Sequence, residues 1–240
     1  MKKQVMYKEL AKYYDLIYLS KDYKKESKKL MRIIKRYKKS EGKNLLDVAC
    51  GTGSHLKFLE KKFDCFGIDV NNEMLKIARK KLKKVILRKA NMVNFSIDRK
   101  FDIILCLFSS IGYTKTYSNL AKTIKNFSDH LKSGGVLIIE PWFTKHTFKP
   151  GVPHMQCYDS KNLKIARLDV SKIRNRISLL NLHYIIAQKN KDAKHYLDLH
   201  ELGLFEVNRT LRILKASRLE ARFLKKGLRD NRGIFVCVKK

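Results

Sequence analysis

The sequence predicts an α/β fold: a mostly parallel seven-stranded sheet with helices on both faces, plus an inserted antiparallel β-sheet. Two observations support this prediction. Through the first two thirds of the chain, short apolar runs alternate with stretches of helical periodicity, which is typical of parallel strands joined by helices. After Trp142 this alternation gives way to β-branched, alternating segments without helical stretches between them, which favours antiparallel pairing.

The parallel strands are predicted from short apolar runs that end in polar residues or glycines. The clearest intervening helix places Leu120, Ile124, Phe127 and Leu131 on one face and is predicted to end at residues 133–135, Ser-Gly-Gly, since glycine is the usual residue just past a helix end. The predicted strands are residues 44–49, 64–69, 84–90, 102–108 and 135–141.

The last third of the chain is predicted to begin with about three antiparallel strands within residues 163–201. A helix over 207–217 and two strands, 218–225 and 233–238, then complete the main sheet. These patterns divide the chain into a ligand-binding domain, residues 1–142 with 202–240, and an antiparallel insertion, residues 143–201.

The N-terminal 40 residues are predicted to form a helical cap on the ligand-binding domain. Leu30, Ile33, Ile34 and Tyr37 fall on one stripe at helical spacing, which indicates one buried helix face.

Composition narrows the class of protein. No apolar run is long enough to span a membrane, and the basic N-terminus leads into more charge rather than into a signal sequence. Cys65, Cys106 and Cys237 lie inside apolar runs, where cysteine is usually a small buried hydrophobe, so we expect a reducing cytoplasm. Five cysteines show no C-x-x-C spacing, which predicts neither a zinc site nor a redox pair. The net charge of +32 raises the question of nucleic-acid binding, but the lysines are spread along the whole chain.

A glycine turn after the first strand predicts a nucleotide-type ligand. Gly51 and Gly53 precede a helix whose N-terminal N–H groups suit an anion, and Asp69 at the end of the second strand is placed to bind ribose hydroxyls. A dinucleotide fold would have a third glycine where this chain has Leu56. Together with Asp47 before the turn, the pattern favours S-adenosylmethionine (SAM), whose methionine end carries both a carboxylate and an ammonium group.

Several further residues are predicted to line the cofactor site because they follow the strands at the same edge of the sheet. Asn91 and Met92 are suited to the adenine edge and ring, and Met74 to the same slot. The predicted cofactor residues are Tyr14, Tyr23, Asp47, Ala49, Gly51, Thr52, Gly53, Asp69, Val70, Met74, Asn91, Met92, Leu107 and Phe108.

Motifs along nearly the whole chain resemble those of the N,N-dimethyltransferases that modify the 3-amino group of nucleotide-linked deoxysugars, as in desosamine and mycaminose biosynthesis. The glycine turn is common to all class I SAM-dependent methyltransferases, whereas the later segments are more specific. The matching segments are residues 14–18 (YDLIY), 21–23 (KDY), 45–56 (LLDVACGTGSHL), 107–116 (LFSSIGYTKT), 140–143 (EPWF), 195–205 (HYLDLHELGLF) and 232–236 (RGIFV).

The resemblance implies the Rossmann-like class I methyltransferase fold, SAM as methyl donor with S-adenosylhomocysteine as its product, and a small-molecule amine as acceptor. It further implies that the insertion, residues 143–201, covers the active site and supports a homodimer. It also implies that Tyr14 lies near SAM and the acceptor amine and that Tyr113 lies near the acceptor nitrogen. A phenol there can orient the amine and accept its proton transiently, so both tyrosines are predicted to be catalytic. The predicted substrate residues are Ser110, Tyr113, Trp142, Phe143 and Arg232.

The chain departs from the family pattern at two places, which leaves the acceptor open. Asn91 stands where the family usually has an aspartate, and residues 225–230 replace a glycine-rich approach to the last strand. A metal site built from His195, Asp198 and His200 is not expected, because His195 and His200 would point to opposite faces of a strand.

Two other functions stay open on the sequence alone. A nucleic-acid methyltransferase would explain the charge, although the Asn/Asp-Pro-Pro-aromatic turn of base-amine methyltransferases is absent after the fourth strand. A SAM-binding protein without catalytic activity is the second alternative.

Overall fold

The computed structural model describes residues 4–228 and 232–240 and contains two β-sheets. Most of the helices pack against the two faces of the larger sheet. In chain order the helices are α1 Tyr14–Ile17, α2 Tyr23–Tyr37, α3 Leu56–Leu59, α4 Asn72–Lys81, α5 Tyr117–Asp129 and α6 Val207–Ala216, with 3-10 turns at Ala11–Tyr13 and Ser110–Thr114. The strands are β1 Asn44–Val48, β2 Asp64–Asp69, β3 Ile86–Lys89, β4 Phe101–Cys106, β5 Leu131–Ile139, β6 Pro153–Asp159, β7 Leu163–Val170, β8 Lys172–Arg174, β9 Ile177–Gln188, β10 Lys194–Gly203, β11 Leu219–Leu224 and β12 Ile234–Lys239.

The larger sheet has seven strands in the order β11-β12-β5-β4-β1-β2-β3. The strands from β5 to β3 pair in parallel, and β12 pairs antiparallel with both β5 and β11. Two buried clusters flank this sheet, one on each face, because its central strands are apolar on both sides. The order reverses beside β1, so the carboxyl ends of β1, β2 and β4 frame a crevice of the kind in which α/β sheets bind ligands. The predicted α/β architecture, a mostly parallel seven-stranded sheet with an inserted antiparallel sheet, is confirmed.

The helix before β5 ends earlier than predicted. α5 stops at Asp129, and Leu131 already belongs to β5, where it pairs with Phe101 of β4. Gly134 therefore lies inside the strand, in a left-handed conformation with φ +73°, and its carbonyl accepts the N–H groups of Lys39 and Ser40. The Ser-Gly-Gly segment marks an irregularity in β5 instead of the end of the helix.

The insertion is a five-stranded antiparallel sheet, larger than the three strands predicted. The order is β10-β9-β7-β6, and the short β8 pairs with β9. β6 was missing from the prediction because its sequence, PHMQCYD, is too polar to read as a strand. It is nevertheless an edge strand, where apolar alternation is not required.

The N-terminal segment, from residue 4 to the end of α1 at Ile17, joins the two sheets. A third buried cluster contains Tyr13, Tyr14 and Ile17 from this segment together with Met74 of α4 and Tyr184 of β9. The inner face of the antiparallel sheet therefore packs over the N-terminal segment, close to the carboxyl ends of the parallel strands. No helix in the described part of the chain is long and apolar enough to cross a membrane.

Candidate active site

The glycine turn follows β1 and has the backbone that the sequence predicts. Gly51 and Gly53 have φ values of +55° and +74°, which residues with a Cβ rarely adopt. A Cβ at Gly53 would lie 2.6 Å from Leu82 Cδ1, so the turn also packs closely on the end of α4. Next to the turn, Ala49 adopts a φ of 58° without being glycine. The turn is therefore held in one defined shape.

Two buried acids lie beneath this turn. Asp69 accepts the N–H of Gly51 at 2.9 Å and the N–H of Asn71 at 2.8 Å, which fixes the turn against β2. Burial raises the pKa of Asp47 to about 8, and the nearby Asp69 carboxylate adds to the effect. Burial also raises the pKa of Asp69. A cationic ligand would favour the charged form of both acids. SAM carries an ammonium and a sulfonium group, so it fits a site with these two carboxylates.

The turn is also held from above by the N-terminal segment, through a residue that the sequence analysis missed. Asp15 of α1 accepts the Thr52 hydroxyl at 2.6 Å and the Lys81 ammonium at 2.7 Å. Its neighbour Tyr14 is buried, with ring centroids 6.0 Å from Tyr7 and 4.8 Å from Tyr18. Asp15 thus ties α1, which carries Tyr14, to the glycine turn.

The remaining predicted cofactor residues lie around the same edge of the sheet, at different depths. The Ala90 N–H donates to the Asp69 carbonyl, which brings the ends of β2 and β3 together. Val70 is 46% exposed, Asn91 is exposed and accepts the Val93 N–H, and Met92 is half-buried. Met74 and Leu107 are buried. The roles of these residues stay predictions.

Tyr23 belongs to a second buried network near the turn. Its ring lies 4.9 Å from the His55 ring, and His55 hydrogen-bonds Glu26 at 2.8 Å. Lys21 also pairs with Glu26. Burial alone would raise the pKa of Glu26, but hydrogen bonds from His55 and Lys21 lower it to about 2. Glu26 therefore stays ionised. Its bonds to Lys21 and His55 tie the segment between α1 and α2 to the residues after the glycine turn.

A cavity of about 680 Å³ lies between the carboxyl ends of the parallel strands and the inner face of the antiparallel sheet. Of the predicted residues, the cavity lining contains Phe108, Tyr113, Trp142, Phe143 and Arg232. Tyr14 and Ser110 are not among the described lining residues; their neighbours Tyr18 and Ser109 are.

The strand-to-cavity turn at residues 108–109 is strained and braced. Phe108 and Ser109 have φ values of 50° and 63°, in the left-handed region that non-glycine residues occupy at a cost of about 1 kcal/mol or more each. The Phe108 N–H donates to the buried Glu140 carboxylate at 2.7 Å, and the Ser109 hydroxyl donates to the Pro141 carbonyl at 2.8 Å. The FSS and EPW segments therefore hold each other in place at the ends of β4 and β5.

Arg232 is fixed at the same cavity by aromatic and polar contacts. Its guanidinium lies 4.8 Å from the Trp142 ring centroid and 4.9 Å from that of Phe143, and its Nη1 donates to Ser109 Oγ at 2.6 Å. Trp142 is in turn held by a hydrogen bond from its indole N–H to Ser178 Oγ at 2.9 Å. An oriented guanidinium of this kind suits a carboxylate or a phosphate.

A chain of four hydrogen-bonded side chains links β10 of the insertion to the cavity. The Tyr7 and Tyr113 hydroxyls are 2.8 Å apart, Tyr113 Oη is 2.7 Å from His200 Nδ1, and His200 Nε2 is 2.7 Å from Asp198 Oδ2. Of the four residues, the sequence analysis predicted a role only for Tyr113. Asp198 and His200 are two residues apart on β10 and so share a face, which is the signal that was available.

The structure separates the histidines that invite a metal site. His200 points inward to Tyr113, whereas His195 lies on the exposed face beside His183, at 3.0 Å. Within residues 4–228 and 232–240, no group of three or more His, Cys, Asp or Glu side chains is arranged to hold a metal ion.

Comparisons with known proteins place this architecture in one family. A family profile described as a methyltransferase domain matches residues 45–135. The dTDP-3-amino-3,4,6-trideoxy-alpha-D-glucopyranose N,N-dimethyltransferase of Streptomyces venezuelae is 34% identical over 231 residues, which cover 95% of this chain and 97% of the relative. The crystal structure of Streptomyces venezuelae DesVI superposes with a TM-score of 0.90 at 33% identity, over 96% of this chain and 98% of that one.

A SAM-bound amino pentose methyltransferase from Micromonospora echinaspora, involved in calicheamicin biosynthesis, has a TM-score of 0.83 at 25% identity and covers 92% of both chains. The fold, the glycine turn with its two acids, and identity along nearly the full length of both sequences agree with one another. The chain belongs to the SAM-dependent N-methyltransferases, in the family of the dTDP-amino-sugar N,N-dimethyltransferases.

Proposed function

We propose that this methyltransferase transfers methyl groups to the amino nitrogen of a nucleotide-linked deoxyamino sugar. The observation that carries the proposal is the 680 Å³ cavity, which is large enough for such an acceptor and is lined by both an oriented guanidinium and a tyrosine hydroxyl. The names of the relatives support the same acceptor class, since the Streptomyces venezuelae relative is a dTDP-amino-sugar N,N-dimethyltransferase.

Different residues around the cavity are proposed to bind the acceptor and to orient its amine. SAM supplies an electrophilic methyl group. Tyr113 is the proposed hydrogen-bond partner of the acceptor amine, and Tyr14 is proposed to act beside the glycine turn, where Asp15 holds it. Methyl transfer needs the amine aligned in line with the methyl group, so fixed side chains contribute mainly by orientation. The antiparallel sheet forms one wall of the cavity and so limits the access of water to it.

Arg232 is the proposed partner of the acceptor's diphosphate. The guanidinium is held by Trp142, Phe143 and Ser109, so little side-chain entropy remains to be lost when an anion binds. Ionic hydrogen bonds contribute about 1.5–3 kcal/mol, which corresponds to about 10- to 100-fold in affinity.

The experiment is methylation by the purified protein with labelled SAM against four acceptors: a dTDP-linked amino sugar, the same sugar without the nucleotide, small amines with amino acids, and total RNA. We expect the dTDP-linked sugar to be methylated most efficiently. Arg232→Gln should raise KM for the nucleotide-linked sugar by about 10-fold or more and leave KM for the free sugar unchanged. Product on RNA alone would contradict the proposal.

The matched control for this variant is Arg222→Gln. Arg222 lies on the edge strand β11, is exposed and pairs with Glu220, away from the cavity. Arg222→Gln removes the same charge from this basic chain as Arg232→Gln does. An equal rise in KM in both variants would therefore show that Arg232 acts through net charge and not through contact.

We further propose that the exposed face of the antiparallel sheet binds a second copy of the chain. Apolar side chains of β6, β7, β9 and β10 point outward on this face, an exposed apolar surface of the kind that marks protein interfaces. They are Met155, Leu168, Val170, Ile185 and Leu197, each between 43% and 70% exposed.

The test of the dimer is light scattering on the wild type and on the double variant Leu168→Glu with Ile185→Glu. We expect a homodimer for the wild type and a monomer for the variant, because two carboxylates per chain would have to be buried in the interface. A wild-type mass equal to one chain would refute the proposal.

A cytoplasmic location is proposed from cysteine chemistry. All five cysteines are free thiols, and burial raises the pKa of Cys65 to about 12, which keeps that thiol protonated. Free thiols are typical of a reducing compartment. Cell fractionation of the native host, with the protein in the membrane or secreted fraction, would contradict this.

A further inference from the structure

The hydrogen bonds around Asp198 fix which protons His200 and Tyr113 carry. Asp198 accepts the backbone N–H of Val5 at 2.7 Å and that of Met6 at 3.2 Å, so both carboxylate oxygens are used as acceptors. Two backbone donors favour a carboxylate that acts as acceptor, and we infer that the His200 nitrogen facing it, Nε2, is a third donor and carries a proton. In neutral imidazole the other nitrogen, Nδ1, is then an acceptor.

This assignment determines the role of Tyr113. Its hydroxyl has one proton, and that proton is donated to His200 Nδ1 at 2.7 Å. The lone pairs of Tyr113 Oη remain as acceptors: one receives the Tyr7 hydroxyl at 2.8 Å, and the other is available at the cavity that Tyr113 lines. An acceptor amine in the cavity would therefore donate its N–H to Tyr113, which leaves its lone pair free to point elsewhere.

We propose that His200 is the base of the methyl transfer, acting through Tyr113, and that Asp198 fixes its tautomer. The inference rests on the proposed amine acceptor. A protonated amine gives its proton to Tyr113 Oη as the phenol proton passes to His200 Nδ1, so Tyr113 ends neutral and His200 becomes an imidazolium next to Asp198. The freed lone pair forms the N–C bond while the C–S bond of SAM breaks. Solvent takes the proton from His200 between turnovers.

The surroundings favour a concerted transfer over a resting phenolate. Burial raises the pKa of Tyr113 and of Tyr7 well above the ordinary value of a phenol, so the negative charge does not accumulate on either ring. The titratable groups that face His200 are Asp198 on its own strand, Tyr113 on the turn after β4 and Tyr7 on the N-terminal segment. His200 and Asp198 are positioning residues in this scheme, and Tyr113 is the group that touches the substrate.

The same carboxylate that orients His200 also anchors the N-terminal segment. Val5 and Met6, which bond to Asp198, are followed at once by Tyr7, whose ring lies 5.4 Å from the His200 ring. Completion of the hydrogen-bond chain therefore requires this segment to be closed over the cavity.

The kinetic test is the pH profile of kcat for His200→Gln. At about pH 7 we expect kcat to fall by about 100-fold, a typical contribution of general-base catalysis, while KM for the acceptor and Kd for SAM change by less than about 3-fold. The deficit should shrink toward high pH, because the amine then reaches the site already neutral. A deficit that is the same from about pH 6.5 to about pH 9.5, or a kcat within about 2-fold of wild type, overturns the inference.

Two comparisons keep this test specific. His146→Gln removes an exposed histidine from the segment beyond β5 and should leave the whole profile unchanged. Tyr113→Phe should show the same pH-dependent deficit as His200→Gln, and the double variant should lose no more than about the larger single effect, since the two residues act in one chain. Additive losses would show separate roles and overturn the relay.

A measurement without substrate distinguishes this inference from the proposed function. The ¹⁵N NMR spectrum of histidine-labelled protein, with His200 assigned by its loss in His200→Gln, should show a protonated Nε2 and an unprotonated Nδ1. A proton on Nδ1 overturns the relay whatever the acceptor is. If the tautomer is as expected but no amine is methylated, the proposed function fails, and the relay fails with it.

Discussion

Replacement of Asp47 by asparagine should change the pH dependence of stability in a direction that the structure fixes. Asp47 is buried at the end of β1, and burial, with a smaller contribution from the charge of Asp69, raises its pKa from 3.8 to about 8. Asparagine has nearly the shape of the protonated acid, so Asp47→Asn keeps the packing and removes the titration. The variant therefore isolates the effect of this one carboxyl.

The magnitude follows from proton linkage. Because the folded state holds the proton up to about pH 8 and the unfolded state releases it near pH 4, the contribution of Asp47 to stability is complete below about pH 4. It is lost as the pH rises through about 8, at about 1.4 kcal/mol per pH unit. Between about pH 6 and about pH 8, the free energy of unfolding of the wild type should fall by roughly 2–3 kcal/mol relative to that of Asp47→Asn.

Urea denaturation of both proteins at several pH values, first without and then with saturating SAM, measures this difference. SAM brings positive charge to the site, so in the wild type it should favour ionised Asp47 and release a proton on binding at about pH 7, which calorimetry in buffers of different ionisation enthalpy detects. If the difference between the two proteins varies by less than about 0.5 kcal/mol across this range, the reasoning about Asp47 is wrong.

Three further substitutions test other parts of the site. Because the pKa of Glu26 is about 2, its contribution to stability is present above about pH 4.5 and is lost as the pH falls toward 2. Glu26→Gln should lower the free energy of unfolding by about 2 kcal/mol at neutral pH and make the fall in stability at acid pH shallower, as measured by urea denaturation. Gly53→Ala should cost about 1–3 kcal/mol and weaken SAM binding by calorimetry, since its Cβ would meet Leu82 at a positive φ. Ala49→Gly, in contrast, should raise the melting temperature slightly or leave it unchanged, because glycine relieves a φ of 58° at a cost in chain entropy. A large loss of stability in that variant would contradict this account of the turn.

Local patterns in the sequence were sufficient for the fold and for the cofactor half of the site. Apolar runs followed by helical spacing predict β1 to β5 within a few residues. The reason is clearest for the central strands β1, β2 and β4, which are buried on both faces and are mostly apolar. Gly51, Gly53 and Asp69 are recognisable because a tight turn at a positive φ and an acid at the next strand end leave few other interpretations. The polar edge strand β6 has no such pattern and was not predicted.

The acceptor half of the site was harder to predict because its contacts join distant segments. Tyr113 was named from family resemblance, but its partners Tyr7 and His200 lie 106 and 87 residues away along the chain. Nothing local marks Val5 and Met6 as partners of Asp198, since their backbone N–H groups carry no sequence signal. The packing of the Tyr14 ring against those of Tyr7 and Tyr18 likewise depends on the tertiary structure, which residue spacing does not specify.

The bonds from Val5 and Met6 to Asp198 can form only after most of the chain has been synthesised. The two sides of this contact are separated by 193 and 192 residues, so the N-terminal segment is synthesised first and its anchor nearly last. At typical rates of translation, roughly 10–40 seconds pass before Asp198 is made. During that interval Tyr7 and Tyr14 lack the antiparallel sheet against which they pack, so this aromatic segment is left without its native cover. The larger sheet is also incomplete during this interval, because its strands β11 and β12 follow β10 in the chain, so both halves of the site are completed late in synthesis.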